Sequence, residues 1–490
     1  MSVTPSAHHL HPVQQPGREI ARVLRPATLN DALTLLADNP QARLLAGGTD
    51  LLLELARHGP GPAVTVIDVT ALEELREVTI TDGHIRLGAM TTHNDVVRHP
   101  TLRALALPLA QACLEIGSPQ LRNRATIVGN VATASPANDT ISALLALDAT
   151  VELRSLSGVR TLPLAAFLTG FRQTDRHADE IITALSFPAL TPNRVGLWAK
   201  LGNRTAQAIS VLHLGVVIER DADGTVTDAR LALGSAAATV VRLTEAEASL
   251  CGRPLTDDSL AEAADLAQAA VTPLDDVRAT AEYRTEIIPT LVTRALRAVG
   301  DNLTETSWPH DPPCLRQATP PVSTPTTIVD DDVPVSIMVN GTSVSAAGAA
   351  SRSLLEWLRD DAGMTAAKEG CAEGECGSCT VIVNGAAVMS CLVNAAQADG
   401  ADVLTAEGVG ANGPSRLQQA FVDEFAVQCG FCIPGFIMAG TALLAECPQP
   451  DDAQIALGLS GNLCRCTGYY PIADAIRTAS RALESEKGRP

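Results

Sequence analysis

The chain has 490 residues, is 46% apolar and carries a formal net charge of −19. That length accommodates several domains with their own cores, and the apolar fraction excludes wholesale disorder. The acidity excludes the basic face that nucleic acid or an anionic membrane requires. No run of eighteen apolar residues occurs, so no membrane span is expected. Residues 1–19 hold histidines and prolines without a basic-then-apolar stretch and are expected to be a disordered tail, not a signal. The chain is therefore expected in the cytoplasm, where clustered cysteines mean metal or redox chemistry rather than disulfides.

Thr28 or Asn30 can cap a helix through Leu36. The run Leu44-Leu45-Ala46 then enters Gly47-Gly48-Thr49-Asp50-Leu51. A Gly-Gly turn between a strand and a helix lets backbone amides approach a pyrophosphate, but such a pair also serves as a plain turn. Residues 64–67 and 84–87 read as strands. Ala125-Thr126-Ile127-Val128-Gly129-Asn130, followed by Thr133 to Asp139, offers hydroxyls and an amide. A helix is expected over 142–147, then strands over 195–200, 209–218 and 229–234, and helices over 257–271 and 287–299. The pattern is α+β with a boundary near residue 190.

Residues 301–332 are rich in proline, threonine, serine and aspartate and read as an extended linker. Beyond it, 335–339 and 342–345 flank Asn340-Gly341, and 380–383 and 386–390 flank Asn384-Gly385, two type I′ hairpin signals. With a helix over 353–360 and a strand over 402–405, these make a β-grasp, the ferredoxin shape. Helical periodicity follows: Leu417, Phe421 and Phe425 share one face, Pro434 opens a helix, Asp451 caps another, and 472–483 is the last. The tail is a β-grasp followed by a small helical bundle.

Eight of the twelve cysteines lie in two clusters in this tail. Cys371-x4-Cys376-x2-Cys379 with Cys391 is the plant-type 2Fe–2S spacing. Glycines interleave these ligands, as a loop that turns its amides toward sulfur needs. A structural zinc site usually pairs two knuckles at longer separation, whereas here three cysteines crowd one loop. Cys429-x2-Cys432 with Cys464-x-Cys466 can converge inside a helical bundle, and its spacing leaves iron–sulfur and zinc both open. Cys113, Cys251, Cys314 and Cys447 show no paired spacing and read as small packed residues.

The stretches Gln428-Cys-Gly-Phe-Cys-Ile-Pro-Gly435, Ser460 to Tyr469 and Gly370 to Cys391 closely resemble the iron–sulfur subunit of the molybdenum hydroxylases, the family of xanthine dehydrogenase, aldehyde oxidase and carbon monoxide dehydrogenase. The resemblance covers 333–480. It implies two 2Fe–2S clusters, the helical one nearest a pterin–molybdenum centre and the ferredoxin-like one nearest a flavin. It also makes Gln428 a pterin contact. Ile433 and Phe436 depart from the family pattern by apolar changes beside the ligands. Residues 22–300, with Gly117-Ser-Pro-Gln-Leu-Arg-Asn123, resemble the FAD-binding medium subunit of the same family. That implies a flavin site lined by Leu44, Leu45, Ala46, Gly47, Gly48, Thr49, Asp50, Leu51, Ile116, Thr126, Gly129, Asn130, Ser135, Asp139, Ile182 and Lys200. Val128 replaces a glycine common in the family. Lys200, one of three lysines in the chain, reads by default as a surface residue.

The expected organisation is an FAD-binding domain over 20–190, a flavoprotein C-terminal domain over 191–300, the linker, a 2Fe–2S ferredoxin-like domain over 333–408 and a helical 2Fe–2S domain over 409–490. The flavin-first order reverses that of single-chain xanthine dehydrogenases. The family's molybdenum segment is absent from the sequence, so the resemblance implies a FAD/iron–sulfur electron-transfer subunit of a heteromer that dimerises further. No catalytic residue is expected in this chain. Substrate oxidation would belong to a separate molybdopterin subunit, and NAD, oxygen, a quinone or a cytochrome would be the acceptor. A carbon monoxide or aldehyde dehydrogenase subunit fits the same pattern. Two other readings are a free-standing carrier or diaphorase and a zinc-stabilised scaffold.

Overall fold

The computed structural model describes residues 17–57, 61–317, 326–411 and 413–487, with side chains placed through residue 481. Most of the expected N-terminal tail, and Pro320, Pro321 and Pro325 of the expected linker, lie outside the described residues. The chain forms two compact units. One is built from the N-terminus through Leu72, Ser118–Ala125 and Pro313 onward; the other from Glu73–Gly117 and Thr126–Pro312.

The first unit opens with β-branched runs that pair as strands. Ile20–Arg25 lies parallel to Val64–Asp68, which lies parallel to Arg43–Leu45. The helix Leu29–Asp38 between them is capped by Thr28 rather than Asn30. The Thr28 hydroxyl accepts the Asp31 N–H and the Asp31 carboxylate accepts the Thr28 N–H, a box worth about 1 kcal/mol. The fourth strand is Thr327–Asp330, paired antiparallel with Ile20–Arg25. The end of the proline-rich segment is therefore part of a sheet and not a free spacer. Its start is also anchored, because Cys314 and Leu315 are fully buried.

The β-grasp in the same unit orders its strands Thr342–Ala346, Val335–Val339, Asp402–Leu404, Thr380–Val383 and Ala386–Met389. Its hairpin turns have positive φ at both central residues: Asn340 (51°), Gly341 (80°), Asn384 (46°) and Gly385 (77°). That is the type I′ geometry that matches strand twist. Leu45 and Val66 of the N-terminal sheet share one continuous core with Ile337, Trp357 and Val381 of the β-grasp. The helical bundle comprises Arg416–Asp423, Ile433–Glu446, Asp452–Gly458 and Tyr470–Lys487. Leu417 and Phe421 are buried in its core, but Phe425 is not on their face. The helix ends at Asp423, Phe425 takes a φ of 53°, and its ring is 84% exposed.

In the second unit, a five-stranded antiparallel sheet runs in the order Val78–Thr81, His84–Gly88, Ile181–Pro188, Thr150–Ser155 and Gly158–Pro163. A four-stranded antiparallel meander (Arg194–Leu201, Leu212–Arg220, Val226–Gly234, Val241–Arg242) packs on the helices Thr244–Leu250, Asp257–Ala269 and Ala281–Gly300. Its second strand starts at Leu212, later than the apolar run implied, and Ile209 is exposed. The last helix starts earlier than its periodicity implied, because the Thr280 side chain caps the Tyr283 N–H.

Candidate functional site

The ferredoxin-like ligand loop turns its own backbone onto sulfur. Cys371 Sγ accepts N–H bonds from Glu373 at 3.3 Å and from Glu375 and Cys376 at 3.4 Å. Positive φ at Ala372 (54°), Gly374 (74°) and Gly377 (71°) makes this turn. Gly370 has a different role: a Cβ there would stand 2.7 Å from Cys376 Sγ. Cys391, in the one-turn segment Ser390–Leu392, brings its sulfur to 3.3 Å from Cys379 Sγ. Cys371 and Cys376 form the other thiol pair of this site. The neighbouring Cys376 thiol pulls the Cys371 thiol down to about 5, with the three amides adding to the effect, and Cys376 is raised in return. Cys391 in the same way lowers Cys379 and is itself raised.

The helical bundle also pairs its thiols, across its two motifs. Cys432 and Cys464 form one pair, and Cys429 and Cys466 the other. Cys432 and Cys464 are buried, whereas Cys429 and Cys466 are exposed. Burial pushes the Cys432 thiol up to about 12. Burial acts in the same sense on Cys464, but N–H and O–H bonds from Thr467, at 3.4 and 3.2 Å, hold it below the ordinary thiol value. The Cys464 N–H donates to the Tyr469 hydroxyl at 3.1 Å, and the Tyr469 ring meets buried Phe436 edge-on at 6.5 Å. Gln428 is exposed beside Cys429. Leu463 N–H donates to the Cys376 carbonyl at 2.9 Å, so the two ligand loops touch through their backbones.

All eight predicted ligands thus stand in four pairs. A two-iron cluster uses one pair per iron, while a zinc ion gathers four ligands round one point. No group of three or more potential ligands gathers in that way among the described residues.

The expected flavin residues divide between the units. In the first unit, the strand Arg43–Leu45 leads through Ala46 to Gly47, where a Cβ would run into the Arg124 carbonyl. Gly48 has a φ of 84°, and a Cβ there would lie 3.2 Å from the carbonyl of Leu392, the residue after ligand Cys391. Thr49 and Asp50 follow, leading into the helix Leu51–Arg57, while Leu45 is sealed in the core.

In the second unit, the Thr126 hydroxyl caps the helix Ile127–Thr133 by accepting the Gly129 N–H at 2.9 Å. Asn130 accepts bonds from Asn138 at its carbonyl and from Thr140 at its side chain, which ties the following loop back on the helix. Ser135 accepts the Ala137 N–H at 3.3 Å. The structure brings Asp139 and Lys200 together as an ion pair of 2.7 Å, each side chain only 6% exposed. Lys200 is therefore not a surface lysine. It also donates to the Glu115 carbonyl, next to Ile116, and Ser210 donates to the other Asp139 oxygen. Ile182 is buried in the strand Ile181–Pro188, and Val128 is buried on its own helix.

Four family models match in chain order: an FAD binding domain in molybdopterin dehydrogenase over 18–190, a CO dehydrogenase flavoprotein C-terminal domain over 199–299, a 2Fe–2S iron–sulfur cluster binding domain over 337–406 and a second 2Fe–2S binding domain over 405–477. The nicotinate dehydrogenase small FeS subunit of Eubacterium barkeri is 49% identical over 148 residues, which are 30% of this chain and 94% of the relative. The xanthine dehydrogenase FAD-binding subunit of Escherichia coli O157:H7 is 35% identical over 291 residues, 58% of this chain and 99% of the relative. The chain belongs to the molybdenum hydroxylase family. Like its relatives, it is an oxidoreductase subunit, and it joins in one polypeptide the FAD-binding and 2Fe–2S parts that those relatives carry as separate subunits. A solved carbon monoxide dehydrogenase from Hydrogenophaga pseudoflava, lacking the Mo-pyranopterin moiety of its molybdenum cofactor, matches with a TM-score of 0.55 and 33% identity, over 58% of this chain and 98% of that one. Among the described residues no helix is long and apolar enough to cross a membrane.

The residues present fit the family's groups. Four thiol pairs suit two 2Fe–2S clusters, and three amides aimed at Cys371 supply the N–H···S bonds that such a site uses. Gly47 and Gly48 are buried, and their backbone packs against the Arg124 and Leu392 carbonyls. The sequence gives no role to Ser210, Tyr469, Arg124, Gln397, Gln120 or Asn462, although Tyr469, Gln120 and Asn462 lie within the motifs that carry the resemblance. The first two are ordinary polar residues whose roles arise only from tertiary contacts. The last four form two pairs, Gln120 with Asn462 and Arg124 with Gln397, whose members are far apart in sequence and meet only in the fold.

Proposed function

We propose that this chain passes electrons from a separate molybdopterin subunit through the helical 2Fe–2S site, then the ferredoxin-like 2Fe–2S site, to FAD and an external acceptor. Bound clusters supply one-electron steps, and bound flavin takes electrons singly or in pairs. Cys429, Cys432, Cys464 and Cys466 would hold the helical cluster, and Cys371, Cys376, Cys379 and Cys391 the ferredoxin-like one. Residues 44–51, Thr126, Gly129, Asn130, Ser135, Asp139 and Lys200, with Ile116 and Ile182, would hold FAD.

The observation that carries the order is the unequal exposure of the two sites. Exposed Cys429 and Cys466 are flanked along the chain by exposed Val422, Phe425, Val427, Phe431, Leu463, Tyr469 and Tyr470. Such apolar exposure marks a surface that a partner covers, and Gln428 stands there to meet a pterin. The ferredoxin-like ligand Cys391 instead adjoins Leu392, whose carbonyl meets the Gly48 loop. Cysteines clustered for metal-cluster chemistry suit the cytoplasm, where thiols stay reduced.

Metal and flavin analysis of the purified chain tests this reading. Two clusters and one flavin domain predict four irons, four inorganic sulfides and one FAD per chain; zinc in place of iron, or no flavin, would contradict it. The chain alone should oxidise no purine, aldehyde or N-heterocycle, and hydroxylation by the chain alone would overturn the need for a partner.

A further inference from the structure

One eight-residue segment of the flavin-binding domain, Ser118–Ala125, belongs to the unit that carries both cluster loops. Three of its side chains reach different parts of that unit. Gln120, fully buried, donates to Asn462 Oδ1 at 2.8 Å, and Asn462 Nδ2 donates to the Gly377 carbonyl at 3.1 Å. Asn462 is two residues before ligand Cys464, and Gly377 lies between ligands Cys376 and Cys379. The backbones meet there without side chains between them: a Cβ on Gly377 would strike the Gly461 carbonyl, and one on Gly461 would strike Gln120. Asn123 Nδ2 donates to the Cys314 and Ala387 carbonyls at 2.9 and 3.0 Å, fixing the segment to the β-grasp. Arg124 donates through Nε to the Gly47 carbonyl at 3.1 Å and through Nη2 to Gln397 Oε1 at 2.8 Å. Gln397 in turn donates to the Ala46 carbonyl at 3.2 Å and to Asp68 at 3.1 Å.

The glycine loop is therefore held from both sides, by Arg124 and by a glutamine of the ferredoxin-like domain. The same short segment locks the two cluster loops to each other. We propose that Ser118–Ala125 is a clasp that sets both cluster-ligand loops and the Gly47–Gly48 loop in one register, with Gln120 and Arg124 as positioning residues for electron passage between them. This rests on the function proposed above. Gln120 acts through Asn462, and Arg124 acts through the Gly47 and Gln397 groups it orients. Two directional hydrogen bonds at each end fix distances that packing alone leaves loose.

The test uses the full chain loaded with its cofactors. Gln120→Met and Arg124→Met keep the side-chain length but remove the donors. The magnetic interaction between the two reduced clusters is read by electron paramagnetic resonance, FAD affinity by flavin fluorescence, and folding by thermal melting. Gln120→Met should alter the cluster–cluster interaction while FAD affinity stays within about twofold, because the two ends of the clasp share no partner. Arg124→Met should raise the FAD dissociation constant about tenfold, as expected for losing charged hydrogen bonds at a loop, and leave the cluster interaction alone. Adding Gln397→Met to Arg124→Met should cost less than the two single effects combined, since the residues bond each other. A folded Gln120→Met chain with the parent's cluster interaction would overturn the proposal. So would parental FAD affinity in Arg124→Met, and because Arg124 and Gln397 are only half-buried, that arm decides even if Gln120→Met does not load clusters. Absence of FAD and clusters from the parent chain would instead sink the function on which the clasp rests.

Discussion

The two thiol sites solve the same ligation problem with different scaffolds. The ferredoxin-like loop aims three amides at one sulfur and sinks Cys379 to 2% exposure. The helical bundle gives Cys464 one amide and one hydroxyl, both from Thr467, holds the Cys464 N–H on the Tyr469 hydroxyl, and leaves Cys429 and Cys466 open. A site wrapped in its own backbone is insulated and suited to an internal position. A site half-open among exposed apolar residues is completed by something else. On the function proposed above, that difference in scaffold would set each site's place in the sequence of electron transfer.

The largest effect should come from Cys464→Ser, which removes a buried ligand from the outward site. With the molybdopterin partner and substrate present, both the ferredoxin-like cluster and the flavin should then stay oxidised, as followed by visible absorbance. Reduction of flavin in that variant would break the distinction between outward and inward sites.

Next is Asp139→Ala. It leaves Lys200 charged and buried without its partner, which costs about 3–5 kcal/mol, and the flavin loop it anchors should release FAD. Urea denaturation and flavin content would check this. Replacing both residues with apolar ones of similar size (Asp139→Leu with Lys200→Met) should recover most of the stability, since no lone charge remains, but not the flavin. Retention of FAD in the double variant would show the pair to be structural only.

Gln428→Ala should weaken substrate oxidation restored by the molybdopterin subunit while leaving any NADH-to-dye activity unchanged, because the residue stands at the outward site. An equal loss of both activities would erase the functional separation of the two ends. The smallest effect on the chain itself should be Phe425→Ser with Tyr470→Ser. Both rings are exposed, so melting should hardly change, within about 0.5 kcal/mol, while affinity for the molybdopterin subunit should fall in a binding titration. Undiminished affinity would remove the apolar rim from the docking surface.

Much of this was legible in the chain itself. The cysteine spacings, the Asn-Gly hairpin turns and the glycine loop are local signals, and each depends on a few adjacent residues. Thr28 and Asp451 were readable as caps for the same reason. The errors came where tertiary contacts override local pattern. Phe425 fits the helical period of Leu417 and Phe421, but the helix stops at Asp423 and the ring turns outward. Thr327–Asp330 sits in a linker-like composition, and only the free edge of Ile20–Arg25, about three hundred residues earlier, makes it a strand. Lys200 carries no local mark of burial; Asp139, Glu115 and Ser210 assemble round it from three separate segments.

The most direct test of the serial order is Cys376→Ser in the complex with the molybdopterin subunit, examined by rapid mixing with substrate followed by freeze-quenching. Removing one ligand of the inward site interrupts the path between the outward site and the flavin while leaving every proposed ligand of the outward site and every proposed flavin contact unchanged. The helical-cluster signal should appear reduced at the parental rate while the flavin remains oxidised. A flavin reduced at anything near the parental rate, with the ferredoxin-like cluster gone, would contradict the serial order.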